Sequence, residues 1–349
     1  MLELLIRGAT VYPGDAPAFP GDVGVDGRGI ALVTPRAGDA PAPEAREVVD
    51  GAGLLLCPGF IDLHTHSALR AFEDPFLTPK LAQGFTTEVI NPDGLAPAPV
   101  APDRRSERRA YLRPLEGGGP DEWSWTTIEE YLDALAATRP ALSLVPSVGH
   151  GAVRDLVLGG GRATPDAGDL RAMRREVEAG FDAGARSLSY GLVYLPAAYA
   201  ATDELVAVAE VAAARGAPLV PHVRNEGAAL LEAVGEMVEV ARRAGAPLHV
   251  SHLKSLGDEG LVEPLLALLE DAAASIDVTF DQYPYGAGST LLASVLPAWA
   301  QEGGAPGTLR ALGDPATRRR IADDVAQGLP GWENILGTLG PERIEIANA

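Results

Sequence analysis

From Pro58 onward the chain repeats one texture: an apolar run of strand length, a polar or glycine-rich turn, then apolar residues at helical spacing. The helical stretches include DLRAMRREVEAGFDAGA, DELVAVAEVAAARGA and ALLEAVGEMVEVARRAGA. Strands alternating with helices in this way predict βα units around a parallel sheet buried on both faces. The candidate strands are GFIDLHTH, TTEVIN, LSLVPSVGH, ARSLSYGL, PLVPH, PLHVSH and IDVTFDQY. These are about seven of the eight strands that close a TIM-like (β/α)8 barrel.

Residues 1–57 read differently. The short runs LELLIRGATVY, GDVGVD, IALV and GLLLC, broken by Gly, Pro and Asp, predict a small β domain, so the expected division is 1–57 and 58–349. Stretches near 97–125 and 297–340 look like insertions, and the arginines at 104–109 read as a solvated loop. A net charge of −20 argues against a nucleic-acid partner, whose phosphates need clustered Lys and Arg. No run approaches the ~20 apolar residues of a membrane span. Cys57 is the single cysteine, so no internal disulfide forms. It sits before the first barrel strand and is expected to be a small buried hydrophobe. With no signal-peptide pattern at the N-terminus, a cytoplasmic location is expected.

Histidines end several of the predicted strands. His64 and His66 close GFIDLHTH, and side chains two apart on a strand project together, so both imidazoles can share a metal at the barrel mouth. His222 ends PLVPH and His252 ends PLHVSH, again at the carboxyl ends of strands where such barrels place their chemistry. His249 has the opposite parity to His252 and is expected to face the helices. His150, in SVGHGAVR, is either an outer partner or structural.

On these phrases, and on GFTTEVINPDGLAPAP, SLSYGLVYLP, PHVRNEG, SHLK and DQYPYGAGST, the chain resembles the amidohydrolase superfamily and, within it, the N-acyl-D-amino-acid deacylase (D-aminoacylase) family. The resemblance spans about residues 1–300. It implies a barrel with one or two zinc ions and hydrolysis of the amide of a small N-acyl-D-amino acid. His222 and His252 match the tight zinc site, and His64 and His66 the weaker one. Where well-known members carry a cysteine ligand this chain has Asp93, which binds zinc through oxygen or simply caps a Pro-Asp-Gly turn.

Lys254 is one of two lysines among 28 basic residues, the other being Lys80, and it matches the family lysine that binds the substrate carboxylate. Tyr283 and Ser289 match further substrate positions, and Arg224 shares the parity of His222. Tyr194, Asn225 and Glu226 are weaker candidates, and Tyr194 and Tyr285 serve equally well as rim aromatics. The family's proton-shuttling aspartate follows an eighth strand not found in these 349 residues, so the chain is expected to be C-terminally truncated, prone to self-association and nearly inactive alone. A cyclic amidase of hydantoinase or dihydroorotase type and a catalytically dead binding barrel are the rival readings.

Overall fold

The computed structural model describes residues 1–35 and 43–347. The chain divides into two compact units, Met1–Phe60 and Ile61–Ala349. In the first, strands β1 (Leu2–Val11), β2 (Phe19–Asp26), β3 (Gly29–Pro35), β4 (Ala45–Asp50) and β5 (Leu55–Leu56) make one sheet in the order β3-β2-β1-β4, with β5 also paired to β1. β1 runs antiparallel to β2 and parallel to β4, and it buries Leu5, Ala9 and Val11. β4 escaped the sequence reading because its AREVVD is half charged and shows no clean alternation. Cys57 corrects an expectation, for it is exposed on the segment after β5.

Seven further strands, β6 (Phe60–Thr65, all but its first residue in the second unit), β7 (Phe85–Ile90), β8 (Ser143–Gly149), β9 (Ser187–Gly191), β10 (Leu219–His222), β11 (Leu248–Val250) and β12 (Val278–Phe280), follow one another in sheet order. The pairings from β7 to β12 are parallel. Parallel neighbours need crossovers, and helices such as Ala167–Asp182, Thr202–Ala214, Leu230–Ala244 and Val262–Ala273 supply them. Their starts are legible in places: Asp166 accepts from the amides of Gly168 and Asp169 in a capping box, and Thr127 with Glu130 does the same for Ile128–Ala137.

The strands show which face is which. Ile90, Val148, Leu188, Leu219, Leu248 and Val250 pack into the core shared with the helices. The opposite face, represented by Val89, Val145, Ser187, Val220, His249 and Thr279, lines a cavity of about 370 Å³ inside the sheet. The sheet curls. β6 and β11 are five strands apart, roughly 24 Å in a flat sheet, yet the rings of His64 and His252 lie 4.8 Å apart.

Two expectations fail here. The arginines at 104–109 enter a helix, Arg105–Glu116, and Arg108 is buried with its Nε donating to the Ala96 carbonyl. Basic residues and an internal Pro114 hid that helix. His249 faces the lumen rather than the helices, its ring between Thr279 and Asp281. The parity count failed because β11 stops at Val250 and His252 takes a left-handed φ of 37°, which reverses the alternation between the two histidines. Among the described residues no helix is long and apolar enough to cross a membrane.

Candidate metal centre

The chain reverses just past β7 in a tight turn, with Asn91, Asp93 and Gly94 all in the left-handed region at φ 62°, 55° and 65°. This turn is held by close backbone approach. A Cβ on Gly191 would sit 1.8 Å from the Asp93 carbonyl oxygen, so a side chain there displaces Asp93. Ser189 adds its hydroxyl, donating to the Asn91 carbonyl at 2.7 Å. The turn and the ligand readings of Asp93 are therefore compatible: the same left-handed geometry aims its carboxylate inward.

Four imidazoles from three strand ends meet that carboxylate. His64 Nε2 and His66 Nε2 lie 3.5 and 3.4 Å from Asp93 Oδ2. His252 Nε2 and His222 Nδ1 lie 3.5 and 3.9 Å from Oδ1. His222 Nδ1 and His252 Nε2 are themselves 2.9 Å apart. Burial alone would raise the Asp93 carboxyl, but His64, with His252 and His66, holds it well below the usual range. Burial pushes His222 down to about 4. Burial also acts to lower His66 and His252, yet their carboxylate neighbours, Glu116 and Asp93 for one and Asp93 and Glu226 for the other, hold them up to about 10 and about 9.

Two groupings have donor atoms close enough to share one ion: His64, Asp93 and His252, and His222, Glu226 and His252. The residues fit a metal. His64 Nδ1, His222 Nε2 and Asp93 Oδ1 are buried without hydrogen-bond partners, and an imidazole and carboxylate set suits a borderline-soft divalent ion such as zinc.

Around this cluster the predicted residues divide. Lys254 stands beside it, donating to Glu226 Oε1 at 2.6 Å and to the His252 carbonyl at 3.2 Å, with Nζ 5.4 Å from the centre of the Tyr283 ring. Tyr283 stacks on the exposed Tyr285. Tyr194 is buried, its ring 5.4 Å from that of His222 and its hydroxyl 2.8 Å from Thr290 Oγ1. Ser289 is exposed, and no side-chain contact joins it to the cluster. Asn225 caps the following turn, its Oδ1 accepting from Gly227 and Ala229.

Arg224 is a correction: its guanidinium is taken up by Glu236 and by the carbonyls of Ala198 and Ala200, so it is committed away from the ligands. β10 ends at His222, so the alternation assumed for Arg224 does not extend to it. Lys80 lies outside the cluster, paired with Asp62 and 3.5 Å from Glu88. His150 is buried against Glu204 at 3.0 Å.

Two carboxylates went unnoticed in the sequence. Glu116 is fully buried, 2.7 Å from His66 Nδ1. Glu333 is 5% exposed and accepts from the Glu226 amide at 2.5 Å, and burial together with Glu226 raises its carboxyl. Neither sits near a strand end, so no spacing marks them.

The cluster lies at the carboxyl ends of the strands of a curled parallel sheet, where barrel enzymes place their chemistry, and the chain belongs to the amidohydrolase family, whose model matches residues 47–338. It is 38% identical over 297 residues to an N-acyl-D-glutamate deacylase of Alcaligenes xylosoxydans xylosoxydans, covering 83% of this chain and 58% of that one. A solved D-aminoacylase described as having a binuclear metal centre superposes at TM-score 0.75 with 35% identity, covering 82% of this chain and 59% of the other. The N-acyl-D-glutamate deacylase of Bordetella bronchiseptica, solved with zinc and a phosphonate mimic of the tetrahedral intermediate, superposes at 0.74 with 33% identity and coverages of 81% and 59%. The chain thus spans somewhat under two thirds of these relatives' length.

Proposed function

We propose that the chain carries the metal centre of a hydrolase that cleaves the amide of N-acyl-D-amino acids to a carboxylate and a free D-amino acid. The observation that carries this is the convergence of His64, His66, His222 and His252 on one buried aspartate, with Lys254 beside it. Asp93, His222 and His252, joined by His64 and His66, would hold one or two zinc ions. The chemistry a zinc-like ion supplies when bound is Lewis acidity towards the carbonyl and water of lowered pKa.

The chain's own residues do the rest. Asp93 offers its two carboxylate oxygens to both histidine pairs, so it orders the four imidazoles around one point. Lys254 is a compact cation for the substrate carboxylate, which would take over from Glu226 on entering. Tyr283 supports the ammonium through its ring face. The relatives described as D-aminoacylase and N-acyl-D-glutamate deacylase support this substrate class. The cyclic-amidase reading is weaker, because it calls for a lysine-derived ligand among the histidines, whereas Asp93 stands there and Lys80 is paired elsewhere. The binding-barrel reading has no specific observation in its favour.

Zinc content of the chain, and hydrolysis of N-acetyl-D- against N-acetyl-L-amino acids by a version extended to the relatives' length, test the proposal, and Lys254→Met sharpens it. Removing one partner of a buried charge pair costs roughly 3–5 kcal/mol when the other charge is present. In a version extended to the relatives' length, the variant should therefore lose turnover of N-acyl-D-amino acids while sparing amides that lack the carboxylate. Equal loss on both substrate types makes Lys254 a structural residue, and a folded wild-type chain that takes up no zinc removes the hydrolase reading.

A further inference from the structure

We propose that Glu116 is a positioning residue that fixes the ring of His66, so that Nδ1 carries the proton and Nε2 is the metal donor. The inference rests on the metal-centre reading above. Glu116 is the last residue of the helix Arg105–Glu116, a poor place for a negative charge because the helix dipole is itself negative there. It is also fully buried, where an unpartnered carboxylate is costly. Its two oxygens are both used. Oε1 lies 2.7 Å from His66 Nδ1, and Oε2 accepts from the Ala68 amide at 3.3 Å. The placement makes sense only through what it touches.

A carboxylate only accepts, so the proton between the two belongs to His66 Nδ1. The other ring nitrogen, Nε2, is then left facing Asp93 at 3.4 Å, on the side where the other imidazoles converge. A similar contact, though with a carboxylate that is itself in a ligand grouping and with Lys254 Nζ also 3.1 Å away, occurs on the opposite pair. His252 Nδ1 lies 2.9 Å from Glu226 Oε1 while its Nε2 faces Asp93. His64 has no such support, its Nδ1 being buried without a partner. Glu116 therefore orients one imidazole of the His64/His66 pair from outside the ligand set. Outer partners of this kind typically contribute ~10–100-fold in metal affinity.

The test uses the full chain and zinc alone, titrated against a chromophoric chelator, for wild type, Glu116→Gln and Glu116→Ala. Cadmium-113 loading with 15N NMR reports which ring nitrogen of His66 is the donor. The expected results are cadmium coupling to His66 Nε2 in the wild type and, in the variants, affinity lower by about 10–100-fold with that coupling lost or moved to Nδ1. Unfolding of the metal-free proteins serves as the control. If the alanine variant does not fold, the isosteric glutamine variant decides. Folded variants that bind zinc as tightly as wild type and keep the Nε2 coupling overturn the proposal alone. A wild-type chain that takes up no zinc overturns the metal centre and this proposal with it.

Discussion

The cluster around Asp93 and the cluster around Glu204 both bury histidine against carboxylate in the same unit, and they differ in the source of their positive charge. At Glu204 the cation is built in. Arg154, fully buried, donates from Nε to Glu204 Oε1 at 2.9 Å, and its other nitrogens reach the carbonyls of Gly161 and Ala163. His150 Nε2 completes the contact at 3.0 Å. Among the described residues no guanidinium or ammonium touches the Asp93 carboxylate, and its ion-pair partners are imidazoles that can shed their protons. An arginine stays charged under all working conditions, so the first cluster is closed to an exchanging ion. The second is built to trade protons for a divalent cation, because ligating imidazoles must be neutral. A permanent cation makes a brace, and titratable donors make a site.

The largest expected effect lies at the site. His252 is the member shared by both ligand groupings. His252→Ala should abolish stoichiometric zinc uptake, a greater loss than the ~10–100-fold typical of removing an outer partner. Elemental analysis of the folded variant checks it, and uptake equal to wild type would show that neither grouping is the site.

Next in size comes the brace. Arg154→Met leaves Glu204 buried without its cation, and breaking a buried pair in this way costs roughly 3–5 kcal/mol. Denaturant unfolding should register that loss while zinc uptake per folded chain stays unchanged. A variant that keeps its stability but loses zinc would invert the comparison, making the Glu204 cluster part of the site.

The same contrast explains what could be read from the sequence. The seven barrel strands and the four converging histidines were legible because strand ends mark themselves: His64, His66, His222 and His252 each follow an apolar run. Faces were less legible. His249 and Arg224 were both placed by counting alternate residues past the true ends of β11 and β10, and alternation has no meaning once the backbone leaves the strand. Partners distant in sequence were not legible at all. Glu116 is 50 residues from His66, and Glu204 is 54 from His150. Only the curl of the sheet and the packing of helices bring them together. Donors are thus written locally, while the residues that orient or neutralise them are set by the fold.

The smallest expected effect is a pH dependence that separates brace from site without altering a ligand. Burial acts to raise the Glu204 carboxyl, but His150 and Arg154 outweigh it and hold it below its ordinary value. A depressed carboxyl stabilises the fold fully above its unfolded pKa of ~4.3, and that contribution is lost as pH falls through the folded value. Glu204→Gln keeps the shape of the side chain and removes the charge. The stability difference between wild type and this variant should therefore shrink as pH falls below about 4.3 and level off once pH is below the folded value, where the protonated acid and the amide become equivalent. Measured in the presence of a chelator, the trend reports on Glu204 with its partner His150 rather than on the site, since Asp93 is common to both proteins. A difference that grows as the solution is acidified would mean that Glu204 is held neutral in the fold, and Arg154 would then not be its counter-charge.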